Sequence, residues 1–383
     1  MSKTILVTGA RAPVALHLAR LFHGAGHRVV LADSFRLPMA RATRFKHGYE
    51  RLPSPRVNFP RYATAVGELV RRRAVDLVIP TCEEVFYLAA ARDVRNIDIP
   101  LFAPSFDLLA RAHNKATFAT LATGLGADPP RTILLECAGA LRDLPAPADT
   151  LVFKPAWSRF GSRVLVRPDA TRLATVSPSA ADPWVAQDYL PGDEISACAI
   201  AAGGALAAFQ AYRPTYRVGS GAGVAFEPVD NPVAREFAGG LAARLAWTGQ
   251  ISFDFRHDAE GALRVIECNP RATSGLHFFE AGDGLVEAIL NGAPATASGQ
   301  APMTLPLAML AYGLPHALRH RGLRRWLLDF RGMRDISAWP GDRGMFAPQL
   351  LALGEIIIRA ARRRTGLVEA AVRDIEWDGE PLS

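Results

Sequence analysis

The stretch "RVIECNPRATSG", residues 264–275, ends an apolar segment with a carboxylate, a carboxamide and a guanidinium. These groups belong to Glu267, Asn269 and Arg271, which are spaced two residues apart. Alternate residues of a β-strand point to the same face, so a strand here presents all three side chains together. The pattern predicts a polar site at the end of a buried strand; the alternative is a solvent-exposed strand end that binds nothing.

The segment before this strand supplies a further carboxylate. "QISFDF", residues 250–255, carries Asp254 among apolar neighbours, and the turn "DAEG", residues 258–261, connects it to the strand. If the two segments pair as a hairpin, Asp254 and Glu267 face one cleft. Two close carboxylates repel each other unless a cation lies between them. With the oxygen of Asn269 they form the set of hard ligands that Mg²⁺ prefers, so the hairpin predicts a magnesium site.

A lysine inside an apolar strand predicts an anion site. Lys154 lies in "LVFKPAW", residues 151–157, and a cation at such a position is costly to bury unless it meets an anion. The loop that follows contains Ser158, Gly161 and Ser162. Because small residues let backbone N–H groups approach phosphate oxygens, the strand and the loop together predict phosphate binding.

A short Pro-Gly connector joins two apolar strands in "VAQDYLPGDEIS", residues 185–196. Such a connector offers backbone N–H and C=O groups to the edge of an adenine ring. Gln187 and Glu194 could add side-chain hydrogen bonds to the base and the ribose. The basic segment "YRPTYRVGSGAG", residues 212–223, is predicted to be a surface loop, either a plain one or one that holds an anionic substrate.

Composition limits the class of protein. The chain has 383 residues, of which 49% are hydrophobic and 21% charged, which is typical of a soluble globular protein with two or three domains. No uncharged apolar run reaches the ~18 residues of a membrane span, so no membrane partner is expected. The N-terminus reads directly as a strand and the four cysteines lie far apart, which predicts a cytoplasmic protein. The net charge of +7 comes without a nucleic-acid-binding signature, so no nucleic-acid partner is expected.

Strands alternate with helices over residues 1–104, which predicts a small doubly wound α/β domain with a parallel sheet. The predicted strands are "KTILVTGA", "HRVVLAD", "VDLVIP" and "DIPLFAP". The first turn invites an NAD(P)-binding interpretation, since Gly9 follows the first strand and Asp33 ends the second. Arg11 and Pro13 stand where the later glycines of that motif belong. The alternative is a loop that holds a different anion, or nothing.

Taken in this order, the motifs resemble the ATP-grasp superfamily and look most like the carboxylate–amine ligases related to the carbamoyl-phosphate synthase large chain. The resemblance covers about residues 1–295 and is most specific in the hairpin "DF…IECNPR". It also includes the helix start at Asn114 and Lys115, the strand lysine before a glycine loop, and the "QDYLPGDE" connector.

The resemblance implies a domain layout and residue roles. The expected layout is a Rossmann-like α/β domain at 1–104, an α+β ATP-grasp domain at 105–295 and a helical C-terminal extension at 296–383. Within the ATP-grasp domain, a small lid subdomain is expected at about 113–188 and a core at about 189–295. By this resemblance, the residues that contact the ATP phosphates are Lys115, Lys154, Ser158, Gly161 and Ser162. The adenine ring is bordered by Gln187, Asp188 and Leu190, and the ribose is bound by Glu194. The magnesium ligands are Asp254, Glu267 and Asn269, and the catalytic residues are Lys154 and Arg271. Many members of the superfamily have glutamate where this chain has Gln187.

The reaction implied by the resemblance uses ATP and Mg²⁺, with two metal ions expected and Mn²⁺ able to substitute. A small carboxylic acid becomes an acyl phosphate and is joined to an amine, and ADP and phosphate are released. Relatives often dimerise, so a homodimer is one option, and the sequence leaves the oligomeric state open. Arg271 is expected to steady the transferred phosphate or the acyl phosphate.

Two other functions stay open at this level. An NAD(P)-dependent oxidoreductase built on "VTGA" leaves Lys154 and the "ECNPR" strand without a role. A non-enzymatic membrane-surface or interaction protein would use the arginine-rich C-terminal helices around Trp326 and Ile356–Ile358 as an anchor. The residues Leu323, Trp326, Leu327 and Phe330 recur at helical spacing, which favours core packing over a lipid anchor.

Overall fold

The computed structural model describes residues 1–158, 163–217, 221, 223–342 and 344–382. Within these ranges the strands form three sheets, two of four strands and one of seven. Short 3-10 helices lie at Met39–Ala42, Ala138–Leu141, Ala148–Thr150 and Ser274–Phe278. No helix in the described ranges combines the length and the hydropathy that a bilayer crossing needs.

The first sheet is parallel and is covered by helices on both faces. Its strands are β1 (Thr4–Thr8), β2 (Arg28–Asp33), β3 (Gly48–Arg51) and β4 (Leu77–Ile79), in the order β3-β2-β1-β4. Its helices are α1 (Pro13–Gly24), α2 (Phe59–Arg73) and α3 (Glu84–Asp93). Ile5 and Val7 pack with α1, whereas Leu6 packs with α2 and α3 on the other side. Because both faces are covered, the central strand is continuously apolar, which is the pattern that predicted this domain.

The prediction of a strand at "DIPLFAP" is wrong. There, Leu101 makes only an isolated parallel bridge to Val78, and the fourth strand is β3 at the opposite edge of the sheet. Pro100 and Pro104 flank the bridge, and proline has no N–H group with which to continue a ladder. β3 lies in the polar, basic stretch 34–61 and is only partly buried, so it lacks the apolar pattern of a buried strand.

The second sheet is antiparallel and follows two helices. The helices are α4 (Phe106–His113) and α5 (Lys115–Gly124), and the strands are β5 (Thr132–Leu135), β6 (Leu151–Pro155), β7 (Leu165–Val166) and β8 (Trp184–Asp188), with α6 (Ala170–Leu173) before β8. The strand order is β5-β8-β6-β7. Asn114 caps α5, because its side chain accepts hydrogen bonds from the N–H groups of Ala116 and Thr117. This cap fixes Lys115 as the first residue of α5.

The large sheet holds the predicted hairpin. Its first elements are β9 (Glu194–Ala202), β10 (Ala205–Arg217), β11 (Gly223–Val229), α7 (Pro232–Arg244), β12 (Gly249–His257), β13 (Leu263–Asn269) and α8 (Leu285–Asn291). β10 continues as far as Arg217, which pairs with Gly223 of β11. The prediction of a surface loop at 212–223 is therefore wrong for residues 212–217, because antiparallel pairing with β11 keeps them extended.

The C-terminal segment adds both helices and strands. It contains β14 (Met303–Thr304), α9 (Pro306–Ala308), α10 (Leu314–Arg319), α11 (Leu323–Gly332), β15 (Arg334–Asp335), α12 (Phe346–Arg363) and α13 (Leu367–Val372), with a π-helical segment, Met309–Gly313, between α9 and α10. β14 pairs with β11 and β15 pairs with β14, so the large sheet has the order β13-β12-β9-β10-β11-β14-β15. The extension was expected to be helical, and these two strands correct that expectation.

An aromatic cluster joins α5 to the hairpin of β12 and β13. Phe118 of α5 stacks on Phe253 of β12 with ring centres 6.3 Å apart, and Phe237 of α7 packs against Phe253 at 5.1 Å. Phe118 and Phe253 are fully buried in one core. The helix that begins at Lys115 is therefore anchored to the strand that carries Asp254.

Candidate functional site

A cleft of about 480 Å³ lies between the second sheet and the large sheet. Eleven of the thirteen predicted site residues line it: Lys115, Lys154, Ser158, Gln187, Asp188, Leu190, Glu194, Asp254, Glu267, Asn269 and Arg271. Gly161 and Ser162, the other two, lie outside the described residues. The fold thus brings together side chains that are far apart in the sequence.

The hairpin places two carboxylates opposite each other. Asp254 of β12 pairs directly with Glu267 of β13, whereas the next pair is Phe255 with Val265, so Ile266 is an extra residue in a bulge. Strict alternation would turn Val265 to the same face as Glu267. The bulge instead lets Val265 join Phe255 in the core, where both are buried. One face of the hairpin is therefore polar and lines the cleft, and the other face is apolar.

The two carboxylates have different electrostatic environments. Asp254 accepts hydrogen bonds from the hydroxyl group of Ser196 at 2.5 Å and from the amide nitrogen of Asn269 at 3.0 Å. Burial, and after it the charge of Glu267, raises the pKa of Asp254. Burial would also raise the pKa of Glu267, but two nearby lysines outweigh this effect and lower that pKa. Glu267 is therefore the more acidic of the two carboxyl groups.

Two buried lysines approach Glu267 from different elements. The Nζ atom of Lys115 lies 3.7 Å from Oε2 of Glu267, and the Nζ atom of Lys154 lies 3.6 Å from the same oxygen. Lys115 also donates a hydrogen bond to the backbone oxygen of Ser158 at 2.5 Å. Burial lowers the pKa of Lys154, against the opposing effect of Glu267. Two cations share one carboxylate oxygen here, so an anion that enters the cleft would meet a local excess of positive charge.

The connector between β8 and β9 borders the other part of the cleft. The buried side chain of Gln187 donates hydrogen bonds to Oγ1 of Thr132 at 2.9 Å and to the backbone oxygen of Ile266 at 3.3 Å. Gln187 thus links the second sheet to β13. If the side-chain amide of Gln187 were to contact an adenine base, that contact would compete with these two hydrogen bonds. Asp188 at the end of β8 pairs with Arg131 at 3.0 Å, near the protein surface.

Glu194 begins β9 and is held by a residue of β10. Its Oε1 atom lies 2.6 Å from Nη2 of Arg217. Ser196, which binds Asp254, is two residues after Glu194 and lies on the same side of the strand. No sequence motif singled out Ser196; the alternation along β9 is the signal by which it could have been found.

Arg271 is oriented by the hairpin and by the first domain together. Its Nη2 atom donates a hydrogen bond to Oδ1 of Asn269 at 3.1 Å, and its Nε atom lies 3.8 Å from Oε1 of Glu83. Glu83 is 0% exposed and lies just before α3. No local pattern connects Glu83 with a strand so much later in the chain, so only the fold reveals this contact.

The glycine turn after β1 is filled by the protein itself. A Cβ atom on Gly9 would lie 2.5 Å from Oγ1 of Thr81. Asp33 accepts hydrogen bonds from the backbone N–H of Arg11 at 2.8 Å and from its guanidinium at 2.6 Å, and Arg11 also pairs with Asp374 at 2.6 Å. Because Asp33 is already bound in this network, it is poorly placed to bind a ribose hydroxyl group. This arrangement disfavours the NAD(P) alternative.

The donor set of the cleft suits a hard cation. No group of three or more His, Cys, Asp and Glu side chains arranged for a metal occurs in the described part of the chain. Mg²⁺ does not need one, because it is usually held by one or two carboxylates together with water and substrate phosphates. The carboxylates of Asp254 and Glu267 fit Mg²⁺ and lack the nitrogen and sulfur atoms that Zn²⁺ prefers. The amide nitrogen of Asn269 faces Asp254 and its oxygen accepts from Arg271, so the carboxamide would have to turn over to add a third oxygen ligand.

Comparisons with solved structures show which fold the chain has. No protein-family profile and no curated protein matches the chain. An N5-carboxyaminoimidazole synthetase from Staphylococcus aureus, solved with ADP, is 15% identical with a TM-score of 0.61, and the match covers 78% of this chain and 80% of that one. An L-amino acid ligase from Bacillus licheniformis is 16% identical with a TM-score of 0.54, covering 72% and 68%.

A third similar structure is the biotin carboxylase domain of the 2-oxoglutarate carboxylase from Hydrogenobacter thermophilus, solved with MgADP, ADP and bicarbonate. It is 14% identical with a TM-score of 0.56, and the match covers 72% of this chain and 65% of that one. At identities this low the likeness establishes the fold. The chain therefore has the ATP-grasp fold, which is the fold that its sequence motifs predict.

Proposed function

We propose that this protein is an ATP-dependent ligase that activates a small carboxylic acid as an acyl phosphate and joins it to an amine. The observation that carries the proposal is the convergence of Lys115 and Lys154 on Glu267, directly opposite Asp254. This arrangement concentrates cations and magnesium ligands at one point of a cleft large enough for a nucleotide. The similar structures include a ligase and proteins in complex with ADP or MgADP, which supports the choice.

ATP is proposed to lie along the cleft with its base at the connector between β8 and β9. Gln187, Asp188 and Leu190 would border the base through side chains and backbone groups. Glu194, whose position Arg217 holds, would accept hydrogen bonds from the ribose hydroxyl groups. The nucleotide would then extend along the cleft toward the paired lysines.

The phosphates are proposed to meet the lysines and the loop after β6. Lys115 and Lys154 supply charge, and Ser158, Gly161 and Ser162 supply hydroxyl and N–H groups to the same oxygens. The loop would also exclude water, because an acyl phosphate is readily hydrolysed. Ser158 is already linked to Lys115 through its backbone oxygen.

Asp254, Glu267 and Asn269 are the proposed ligands of two Mg²⁺ ions, for which Mn²⁺ can substitute. The bound metal would neutralise charge on the transferring phosphate. Lys115 and Lys154 keep Glu267 ionised, so its oxygens are available as ligands without the loss of a proton. Ser196 and Asn269 fix the carboxylate of Asp254 in the orientation that faces Glu267.

The chemical step is proposed to occur between the lysines and Arg271. A carboxylate oxygen of the acid attacks the γ-phosphorus while the bond to the β–γ bridging oxygen breaks, and ADP leaves with that oxygen. The amine nitrogen then attacks the acyl carbon, phosphate leaves, and the nitrogen loses a proton to solvent. Lys154 stabilises the charge on the transferring phosphate, and Arg271 holds the acyl phosphate.

A screen of acid–amine pairs tests the proposal through the products formed. With Mg²⁺ and ATP, the correct acid should promote ADP formation, and hydroxylamine in place of the amine should give a hydroxamate. The appearance of AMP and pyrophosphate would rule out the acyl phosphate. A chain that binds a nicotinamide nucleotide and shows no affinity for Mg-ATP would rule out the ligase.

A further inference from the structure

Helix α12, Phe346–Arg363, is held by the rest of the protein along one of its faces. Gln349 in its first turns and Ala360 in its last turn are buried. Between them, Glu355 accepts a hydrogen bond from the backbone N–H of Arg36 at 3.0 Å. The helix is therefore docked along its whole length, and the fold determines which face points outward.

The outward face of α12 is apolar. Its large side chains have these exposed fractions: Phe346 49%, Leu350 46%, Leu351 56%, Ile357 48% and Ile358 53%. The other exposed residues of the helix before Arg362 are Ala347 and Ala361. At about 100° per residue, these seven positions fall within an arc of about 140°. A continuous apolar stripe of this length marks an interaction surface, whereas single exposed apolar residues do not.

Helix α11 carries a similar combination of leucine and arginine. Trp326 is buried, as core packing predicts, but Leu323 and Leu327 are 39% and 40% exposed, so the expectation of a buried stripe is wrong for these two. The exposed Arg324 and Arg331 lie among these leucines. Helices at lipid interfaces commonly combine these residue types, because the arginine head groups reach the phosphates while the stems pack on apolar surface.

Charge decides which occupant suits the stripe on α12. Residues 346–364, which are α12 and its C-cap, contain four arginines and one acidic residue, a net charge of +3. Arg362, Arg363 and Arg364 directly follow the stripe and are exposed. Two copies packed with these helices parallel would bring the arginines together, and two packed antiparallel would place them beside the apolar end of the partner's stripe, without a counter-charge. Anionic lipid head groups, in contrast, would complement both the arginines and the apolar side chains.

We propose that α12 docks the protein on an anionic lipid surface. The helix would lie in the plane of the interface, with its apolar stripe inserted and Arg362 and Arg364 among the head groups. It would not cross the bilayer, because its other face is bound to the folded protein. An amphipathic helix has little hydropathy signal, so hydropathy alone predicts no membrane partner, whereas the sequence left open an anchor around Ile356–Ile358, which lies in α12. The proposal does not depend on the proposed ligase activity.

Vesicle co-sedimentation with the full chain tests the proposal. The vesicles are phosphatidylcholine alone, or phosphatidylcholine with about 30% phosphatidylglycerol. The double variant Leu350→Gln/Ile357→Gln removes two exposed side chains of the stripe, and Arg362→Gln/Arg364→Gln removes two charges. The matched control is Val94→Gln/Val233→Gln, because these two apolar residues are 46% and 56% exposed and lie at the end of α3 and in α7.

The native chain and the control variant should sediment with the anionic vesicles, and less so at high salt. Each α12 variant should bind at least about ten-fold more weakly, with an unchanged melting temperature and unchanged ATP consumption without vesicles. Failure of the native chain to bind anionic vesicles, or equal binding by the α12 variants, would overturn the proposal. A dimer in light scattering that the Leu350→Gln/Ile357→Gln variant dissociates would assign the stripe to a second copy and would also overturn it.

Discussion

Asp254 on β12 lies directly opposite Glu267 on β13, with a bulge immediately beside the pair. The bulge separates the two functions of this hairpin, since it keeps the carboxylates in the cleft while Phe255 and Val265 stay in the core. If side chains alternated strictly along β13, Val265 would point into the cleft beside Glu267. The bulge avoids this, so the carboxylates and the core residues are both correctly placed.

Glu267→Gln should reduce turnover by at least about 10²-fold while leaving the fold intact. The amide is nearly the same size, but it loses the charge that balances Lys115 and Lys154 and that would hold the metal ions. The measurement is steady-state ATP consumption across a range of Mg²⁺ concentrations, with circular dichroism as the test of folding. Glu260→Gln, in the exposed turn of the same hairpin, is the matched control and should be silent. Activity within a few-fold of the native chain would contradict the assignment.

Lys154→Met should lower kcat by roughly 10²–10³-fold, the usual loss for one charge-stabilising donor. Stability should not fall, because the change removes a buried cation that competes with Lys115 for one carboxylate. Turnover and thermal unfolding are measured together. The control Lys3→Met alters an exposed lysine far from the cleft and should change neither quantity. An unchanged kcat with a normal KM for ATP would make Lys154 a structural residue.

Glu194→Gln should raise the KM for ATP about ten-fold or more and change kcat little. Glu194 is proposed to bind the ribose, which does not react, and a hydrogen bond to a charged group contributes about 1.5–3 kcal/mol. Arg217 would lose its partner at 2.6 Å, so nucleotide binding is measured directly by calorimetry as well as by kinetics. Asp193→Asn on the adjacent residue is the control. A fall in kcat at unchanged KM would place Glu194 in the chemical step instead.

An acid labelled with oxygen-18 in its carboxyl group should transfer one labelled oxygen to inorganic phosphate. The cations of the cleft are gathered where the β- and γ-phosphates are proposed to lie, so the bond between these phosphates is the one expected to break. Mass spectrometry of the released phosphate and of any AMP reads the outcome. Label in AMP, with pyrophosphate as the other product, would show that the acid attacks the α-phosphate.

The free energy of unfolding should fall as the pH is lowered from 6.5 toward 4, partly because of His17. Burial lowers the pKa of His17 from 6.5 to about 4, while its Nε2–H donates to the backbone oxygen of Phe279. Between these two pKa values the unfolded chain binds a proton at His17 that the folded chain does not. The contribution of His17 to the free energy of unfolding is therefore complete above pH 6.5 and is lost as the pH falls toward 4. Between about pH 7.5 and pH 5 this one group should account for about 2 kcal/mol.

Denaturant unfolding of the native chain and of His17→Gln at the two pH values measures this loss. Glutamine keeps a donor for the carbonyl group of Phe279 but does not titrate, so the variant should show a smaller fall in stability. The control His320→Gln changes an exposed histidine and should keep the full pH dependence. An equal pH dependence in His17→Gln and the native chain would refute the role of His17.

Some cleft residues were predictable because they lie in a local pattern with a physical cause, whereas Lys115, Asp188 and Leu190 were assigned only through the family resemblance. Glu267 and Asn269 alternate on one strand, and Lys154 interrupts an apolar strand, so each stands out from its neighbours. Asn114 sits where a helix N-cap belongs, which marks Lys115 as a helix start. Ser196 and Glu83 carry no such mark, and they were found only through their contacts with Asp254 and Arg271.

The sequence by itself determined β1, β2 and β4 of the first sheet and the polar face that Glu267 and Asn269 share, because these depend on periodicity, but it also predicted a strand at "DIPLFAP" where only an isolated bridge forms. It did not determine the edge strand β3 or the continuation of β10 to Arg217, because pairing with a neighbour decides both. Only the tertiary structure brought Lys115 and Lys154 to the same oxygen of Glu267. Likewise, only the tertiary structure shows that one apolar face of α12 is not covered by the rest of the protein. The amphipathic pattern of a helix predicts an apolar face but does not identify what packs against it.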